Sequence, residues 1–221
     1  MCGRFTLTVD KEEIEKQLLV NIVDYTPRFN IAPSQPVLSI ISDREQRKAG
    51  YIRWGLVPSW AKDRKIGYKM INARAETIHE KPAFKRLFER RRCLIVADGF
   101  YEWKRTENGK KPYRITVNDG VFTFAGLWDR WSDKSDGDEL VTCTIITTTP
   151  NKLMNDIHDR MPVIIKKEDR DSWLDITTHV PALKDLLHSY PAEEMDAYEV
   201  STIVNSPKNE SGECIKSLAS Q

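Results

Sequence analysis

The residues best suited to covalent chemistry open the chain, in the stretch MCGRF. Once Met1 is removed, Cys2 carries a free α-amine and a thiol two carbons apart. Such a 1,2-aminothiol condenses with an aldehyde to a Schiff base, and the thiol then closes a five-membered thiazolidine ring. An α-amine has a reference pKa of about 7.7–8.0 against about 10.4 for lysine, so part of it is unprotonated near neutrality. The thiol, near about 8.5, needs only modest electropositive help to ionise. Arg4, two residues on, is placed to give that help, and Gly3 lends the end backbone freedom. A second chemistry is open to the same residue: an N-terminal cysteine attacks amides with its own amine as base. The opening MCG also begins glutamine-amidotransferase domains of the N-terminal-nucleophile class. Those domains carry an HRG motif and an Asn-Gly segment. This sequence has no HRG, and its one Asn-Gly lies in TENGKKP, which reads as a hairpin turn. Cysteine is small enough to suit removal of Met1, so the mature chain is expected to begin at Cys2.

Three further stretches resist a purely structural reading. ADGFYEWKR sets Glu102 between Tyr101 and Trp103 on a strand-like run, with Phe100 and Lys104 on its own face. A carboxylate beside bulky rings loses hydration, its pKa rises, and it suits proton transfer. An exposed strand glutamate fits the local sequence equally well. DIHDRMPVII places His158 before an apolar strand, either as an acid/base near neutral pH or as a hydrogen-bonded structural histidine. In INARAET, Asn72 either caps the following helical stretch or points into a site. Arg4, Arg74 and Arg160 are candidates for phosphate, because a guanidinium fork matches phosphate oxygens. Ion pairs or surface solvation would use them as well. Trp54, Trp60 and Trp103 are candidate stacking platforms for unpaired bases, while Trp128 reads as core. The run KRLFERRR holds five cations and one acid. It reads as a solvated helix end that also suits nucleic acid.

The elements that must position these residues follow from pattern. The 221 residues are 40% hydrophobic, enough for a core. With 34 basic and 33 acidic residues the net charge is +1, which excludes a strongly basic nucleic-acid coat and an acidic disordered chain. No apolar run approaches the roughly 20 residues that span a bilayer, and the start turns charged at once, unlike a signal peptide. A cytoplasmic, nucleoid-associated protein is expected, with no membrane partner. The four cysteines form no CxxC pair, and Cys93 and Cys143 sit in apolar runs as core thiols. His79, His179 and His188 show no ligand spacing, so neither a metal nor another cofactor is assigned. QPVLSIIS, KAGYIRWG, CLIVADGFYEWKR, KPYRITV, VFTFAGLW, ELVTCTIITTT and PVIIK read as strands. DKEEIEKQLL, with Asp10 as its N-cap, AFKRLFERRR, KEDRDSWLDI and VPALKDLLHSY read as helices. Many short strands without regular β–helix alternation predict an α+β fold, with a largely antiparallel, barrel-like β core and peripheral helices. A single domain over residues 1–221 is expected, monomeric, with a polar and loose tail from about Lys208.

Taken together, MCGRF, RFNIAPSQ, RWGLVPSW, INARAET, DGFYEWK and DIHDRMPVII resemble the SOS-response-associated peptidase (SRAP) family of abasic-site processing proteins. The resemblance runs from Met1 to about Asn209. It implies covalent capture of abasic sites in single-stranded DNA, which shields the lesion. Cys2 would then be the nucleophile through amine and sulfur, and Asn72 would orient the sugar and the N-terminus. Glu102 would move protons during ring opening and imine formation, and His158 would assist at the sugar. Arg4, Arg74 and Arg160 would hold phosphates, with Trp60, Trp103 and Thr147 lining the DNA groove. The family name also implies autoprocessing that removes Met1. A Schiff base left open implies weak lyase activity by β-elimination. One departure concerns the groove: some relatives carry two adjacent tryptophans where this chain has Trp60 and Ala61.

Overall fold

Strand-forming runs dominate the sequence, and in the computed structural model they build two sheets. The structure describes residues 2–42, 46–133 and 137–220. In chain order, β1 is Phe5–Leu7, α1 Lys11–Leu18, β2 Arg28–Ile31, β3 Pro36–Ser42, β4 Arg47–Trp54 and β5 Asn72–Arg74. Then come α2 Lys85–Arg90, β6 Arg92–Ala97, β7 Gly99–Thr106, β8 Gly109–Val117, β9 Phe122–Ser132 and β10 Glu139–Thr148. The remainder are α3 Lys152–Asn155, β11 Met161–Pro162, β12 Ile164–Ile165, α4 Arg170–Leu174, α5 Val180–Asp185 and β13 Met195–Glu199.

Strands β4, β3, β6, β9 and β10 pair in that order, and β10 returns to β4, closing a five-stranded barrel. An odd ring cannot alternate direction all the way round, so at least one neighbouring pair must be parallel. That pair is β4 with β10, in register at Arg53↔Thr142 and Trp54↔Cys143. The expected barrel-like, largely antiparallel α+β core is therefore present, with a parallel seam along the edge of β10 that β4 and β5 share. Beside it lies a five-stranded antiparallel sheet in the order β13-β8-β7-β1-β2.

Aromatic rings join the two sheets. Phe5 of β1 lies 5.3 Å from Trp54 and 5.6 Å from Phe124, and Phe100 of β7 lies 6.0 Å from Phe124. These residues are fully buried. Trp54 donates its indole N–H to the Ile71 carbonyl, so it is a core residue and offers no stacking surface. Cys93 and Cys143 are buried among the apolar side chains, as their flanking sequence predicts. A second small core forms around Tyr101, Val200, Val204 and Cys214.

The helices depart from expectation in detail. Asp10 precedes α1, yet its side chain makes no capping bond. The basic run supplies only the six-residue α2, because Arg91 and Arg92 leave the helix. Arg91 pairs with Asp129. Arg92 turns inward and donates to the carbonyls of Phe88, Trp173 and Asp175. Apolar neighbours and three carbonyl acceptors make Arg92 a structural clamp, which removes it from any DNA-binding surface. Among the described residues no helix is long and apolar enough to cross a membrane.

The tail also differs. Asn30 is buried and donates to the carbonyls of Val204, Ser206 and Asn209. Glu210 accepts from the backbone of Phe29 and Asn30, Cys214 is buried, and Ser217 bridges to Val200. The polarity of this segment is spent on satisfying exposed backbone groups of β2. The result is a strap across the second sheet, not a loose end.

Candidate active site

Period-two geometry aims Glu102. On β7, Phe100 and Glu102 share a face, and Phe100 is in the aromatic core. Glu102 comes next along that face and is 2% exposed. The exposed-glutamate reading is thereby excluded. Tyr101 points the other way, into the second core, where its hydroxyl donates to the carbonyls of Phe29 and Cys214. Burial pushes the Glu102 carboxyl from 4.5 up to about 7.

The start of the chain runs beside this carboxyl. β1 pairs with β7 at Phe5↔Phe100, and the Tyr101 N–H donates to the Arg4 carbonyl at 2.9 Å. The ladder thus brings residues 2–4 alongside Tyr101–Trp103. Cys2 is fully buried. Burial, and then the negative charge of Glu102, push its thiol well above the ordinary range. The expected ionisation by Arg4 does not occur. The Arg4 guanidinium turns away, donating to Asn30 Oδ1 and to the Val204 carbonyl, both at 2.8 Å, and lying 5.8 Å from the Trp103 ring. Cys2 is held as a neutral thiol beside a carboxyl able to take its proton. Met1, whose removal the sequence predicts, lies outside the described residues.

The barrel supplies the other wall. Asn72 opens β5, which runs parallel to β10 in register at Asn72↔Ile145. It caps no helix. Its side-chain amide donates to the Cys2 carbonyl at 2.9 Å, while Oδ1 is buried with no hydrogen-bond partner among the described residues. His158 precedes β11, with Nε2 3.9 Å from Glu102 Oε2. Its Nδ1 accepts the Arg160 N–H at 3.0 Å and lies 2.9 Å from Asp159. The backbone donor favours a ring proton on Nε2, facing Glu102, whereas the Asp159 carboxylate favours one on Nδ1. Burial lowers the affinity of His158 for a second proton and outweighs the exposed Asp159. Distance alone would make Glu102 and His158 an ion pair. Burial raises the carboxyl and lowers the imidazole, so both are driven toward their neutral forms. Beside it a cleft of about 410 Å3 is lined by Trp103, Lys104, Arg105, Asn155 and His158.

The binding candidates separate by exposure. Arg74 and Trp60 are exposed, Trp60 to 62%. Trp103 is half-buried, its indole N–H held by Asn205 Oδ1 at 2.7 Å. Arg160 forms a two-point pair with Glu76 at 2.6 and 3.0 Å and also donates to the Thr147 carbonyl. Thr147 itself is fully buried in β10, so it lines no surface and serves to hold Arg160. Asn30, Glu76 and Asn205 act on the predicted site residues without having been singled out. Glu76 does fall within INARAET, two residues after Arg74.

A buried cysteine and carboxyl thus meet a half-buried imidazole and amide, drawn from both sheets. The family model described as SOS response associated peptidase (SRAP) matches residues 1–207. The chain belongs to the SRAP family. It is 51% identical to "Abasic site processing protein YoqW" of Bacillus subtilis (strain 168), over 98% of this chain and 100% of that one. It is 33% identical to "Abasic site processing protein HMCES" of Xenopus tropicalis, over 99% of this chain and 78% of that one. A crystal structure of a protein from Bacteroides thetaiotaomicron superposes with a TM-score of 0.88 at 28% identity, covering 98% of this chain and 99% of that chain. The SRAP fold is shared throughout.

Proposed function

We propose that this chain processes abasic sites by covalent capture, through Cys2 after Met1 has been removed. The observation that carries the reading is the meeting of buried Cys2 and Glu102 with half-buried His158 and Asn72 in an SRAP chain. The names of relatives at 51% and 33% identity point to the same substrate.

In this scheme the ring-opened sugar of an abasic site offers its C1 aldehyde. The Cys2 amine adds to it, giving a carbinolamine. Glu102, near half-protonated at neutrality, donates the proton that lets water depart and the imine form. The neutral thiol then adds across the C=N bond, its sulfur bonding to C1. Its proton passes to the carboxylate and on to nitrogen. The balance is aldehyde plus aminothiol giving thiazolidine plus one water. His158 relays protons to the sugar oxygen through Nε2. Asn72 fixes the reacting end by its bond to the Cys2 carbonyl. Arg74, Arg160 and exposed Trp60 guide a single strand past the pocket. An imine that fails to close leaves room for β-elimination, hence weak lyase activity.

The test is incubation of the mature protein with a single-stranded oligonucleotide bearing one abasic site. A heat-stable adduct on a denaturing gel is expected, lost in Cys2→Ala, with Met1 absent by mass spectrometry. An equally stable adduct with Cys2→Ala, or quantitative retention of Met1 in a reactive protein, would refute the thiazolidine.

A further inference from the structure

A second cavity, of about 310 Å3, shares no lining residue with the cleft beside Glu102 and His158. The excursion of residues 55–71 builds it. Strands β4 and β5 lie along the same edge of β10, at Thr142–Cys143 and at Ile145–Thr147. The chain leaves that edge after Trp54 and rejoins it at Asn72. Inside the excursion the backbone at Gly55, φ +127°, crosses that at Gly67 so closely that a Cβ on Gly55 would sit 2.8 Å from the Gly67 oxygen. Both glycines of this crossing line the cavity. Ser34 on the rim holds a left-handed φ of 74°, uncommon for a residue other than glycine.

The cavity's charge is one-sided. Arg53, Arg64 and Lys65 line it and are exposed, and among the described residues no carboxylate does. None of the three side chains has a hydrogen-bond or ion-pair partner among the described residues, whereas Arg47, Arg91, Arg130 and Arg160 are all paired. In a chain with 34 basic and 33 acidic residues, three unpaired cations around one opening are a local excess. Tyr68, 64% exposed, adds a ring at the same opening. Cations with an aromatic platform are the chemistry of single-stranded nucleic acid. β10 links the sites: the three steps from Thr142, which pairs with Arg53, to Ile145, which pairs with Asn72, span about 10 Å, one to two nucleotides of strand.

We propose that this cavity binds phosphodiesters of the strand flanking the lesion, on one side only, and so sets the footprint of the protein on DNA. The proposal rests on the reading that the chain binds single-stranded DNA, but not on its covalent chemistry. The test therefore uses a tetrahydrofuran analogue of the abasic site, which has no aldehyde. Oligonucleotides carry the analogue centrally or at either end. Wild-type protein is compared with the triple variant Arg53→Ser, Arg64→Ser, Lys65→Ser.

Wild-type affinity is expected to fall about tenfold when one particular flank is removed, and the triple variant to bind the central analogue no better than that short form. Removing three cations that neutralise phosphates of a single strand should reduce the slope of log affinity against log salt by about 2. In wild-type protein the full-length oligonucleotide should protect Lys65 from acetylation, a readout free of any folding effect of the substitutions. Equal affinity and slope for both proteins, with Lys65 unprotected, overturns the cavity's role and leaves DNA binding standing. Failure of the wild type to bind any of the oligonucleotides overturns the DNA reading and the cavity with it.

Discussion

Glu102→Gln tests the buried carboxyl through stability and reaction at once. The native state holds the Glu102 proton up to about 7, whereas the unfolded chain releases it near 4.5. Between those values the native state binds the extra proton, so stability falls as pH rises through the window. Each tenfold step is worth about 1.4 kcal/mol, and above the window the native state carries a penalty of about 3 kcal/mol. The substituted glutamine is isosteric, uncharged and free of this pH dependence. The gap in unfolding free energy between Glu102→Gln and wild type should therefore widen by about 2 to 3 kcal/mol from about pH 5 to about pH 8. For a chain of this size that is a relative rise in Tm of roughly 4 to 12 °C. Thermal and urea unfolding of both proteins at both pH values measures it. Using the difference between pH values cancels any fixed packing cost of the glutamine. The same variant should form adduct at least about a hundredfold more slowly, the usual scale for a general acid–base residue. A gap that stays constant with pH refutes the raised carboxyl. Unchanged adduct rates refute its part in proton transfer.

Other substitutions probe the surrounding contacts. Asn72→Ala removes the bond to the Cys2 carbonyl. It should cost about 1 kcal/mol in urea unfolding and slow the initial rate of adduct formation on gels. Glu76→Gln releases Arg160 from its two-point pair, so affinity for lesion-free single strands should rise and its salt slope steepen by about 0.7 in fluorescence anisotropy titrations. Truncation after Lys208 removes Glu210 and buried Cys214, and should lower stability by about 3 kcal/mol or more in thermal melts.

The sequence carried the barrel because its strand runs are short, apolar and bounded by turn residues. It could not carry the parallel seam, which comes from closing an odd ring. Cys2, Asn72, Glu102 and His158 stood out in the sequence, Glu102 as a carboxylate between aromatic residues and Cys2 as the residue behind Met1. Their environments did not. Charge near Cys2 in sequence suggested an ionised thiol, yet Arg4 is drawn away by Asn30 and by the Val204 carbonyl, the latter some two hundred residues distant in the chain. Arg92 and the tail failed for a related reason. Polar residues read as solvated when their partners are backbone groups that only the folded chain brings near.

Two buried polar clusters in this protein separate structure from chemistry. Asp98 accepts from the Thr6 and Thr8 hydroxyls, the Thr8 and Val9 amides and Arg114. Gly99 leaves the space that the Arg114 guanidinium crosses, since a Cβ there would lie 2.7 Å from its nitrogens. That cluster has the donors a buried carboxylate needs and ties β1 to β7. The pocket a few residues away is built in the opposite sense. Its carboxyl is driven toward the protonated form, its imidazole toward the neutral form and its thiol away from ionisation. Asn72 Oδ1 is buried without a partner among the described residues. The raised carboxyl and the unpartnered amide oxygen cost stability where apolar side chains would not. A purely structural role would favour the Asp98 pattern. A carboxyl raised to about 7 beside an imidazole, where two sheets meet, is an arrangement suited to proton transfer rather than to holding the fold.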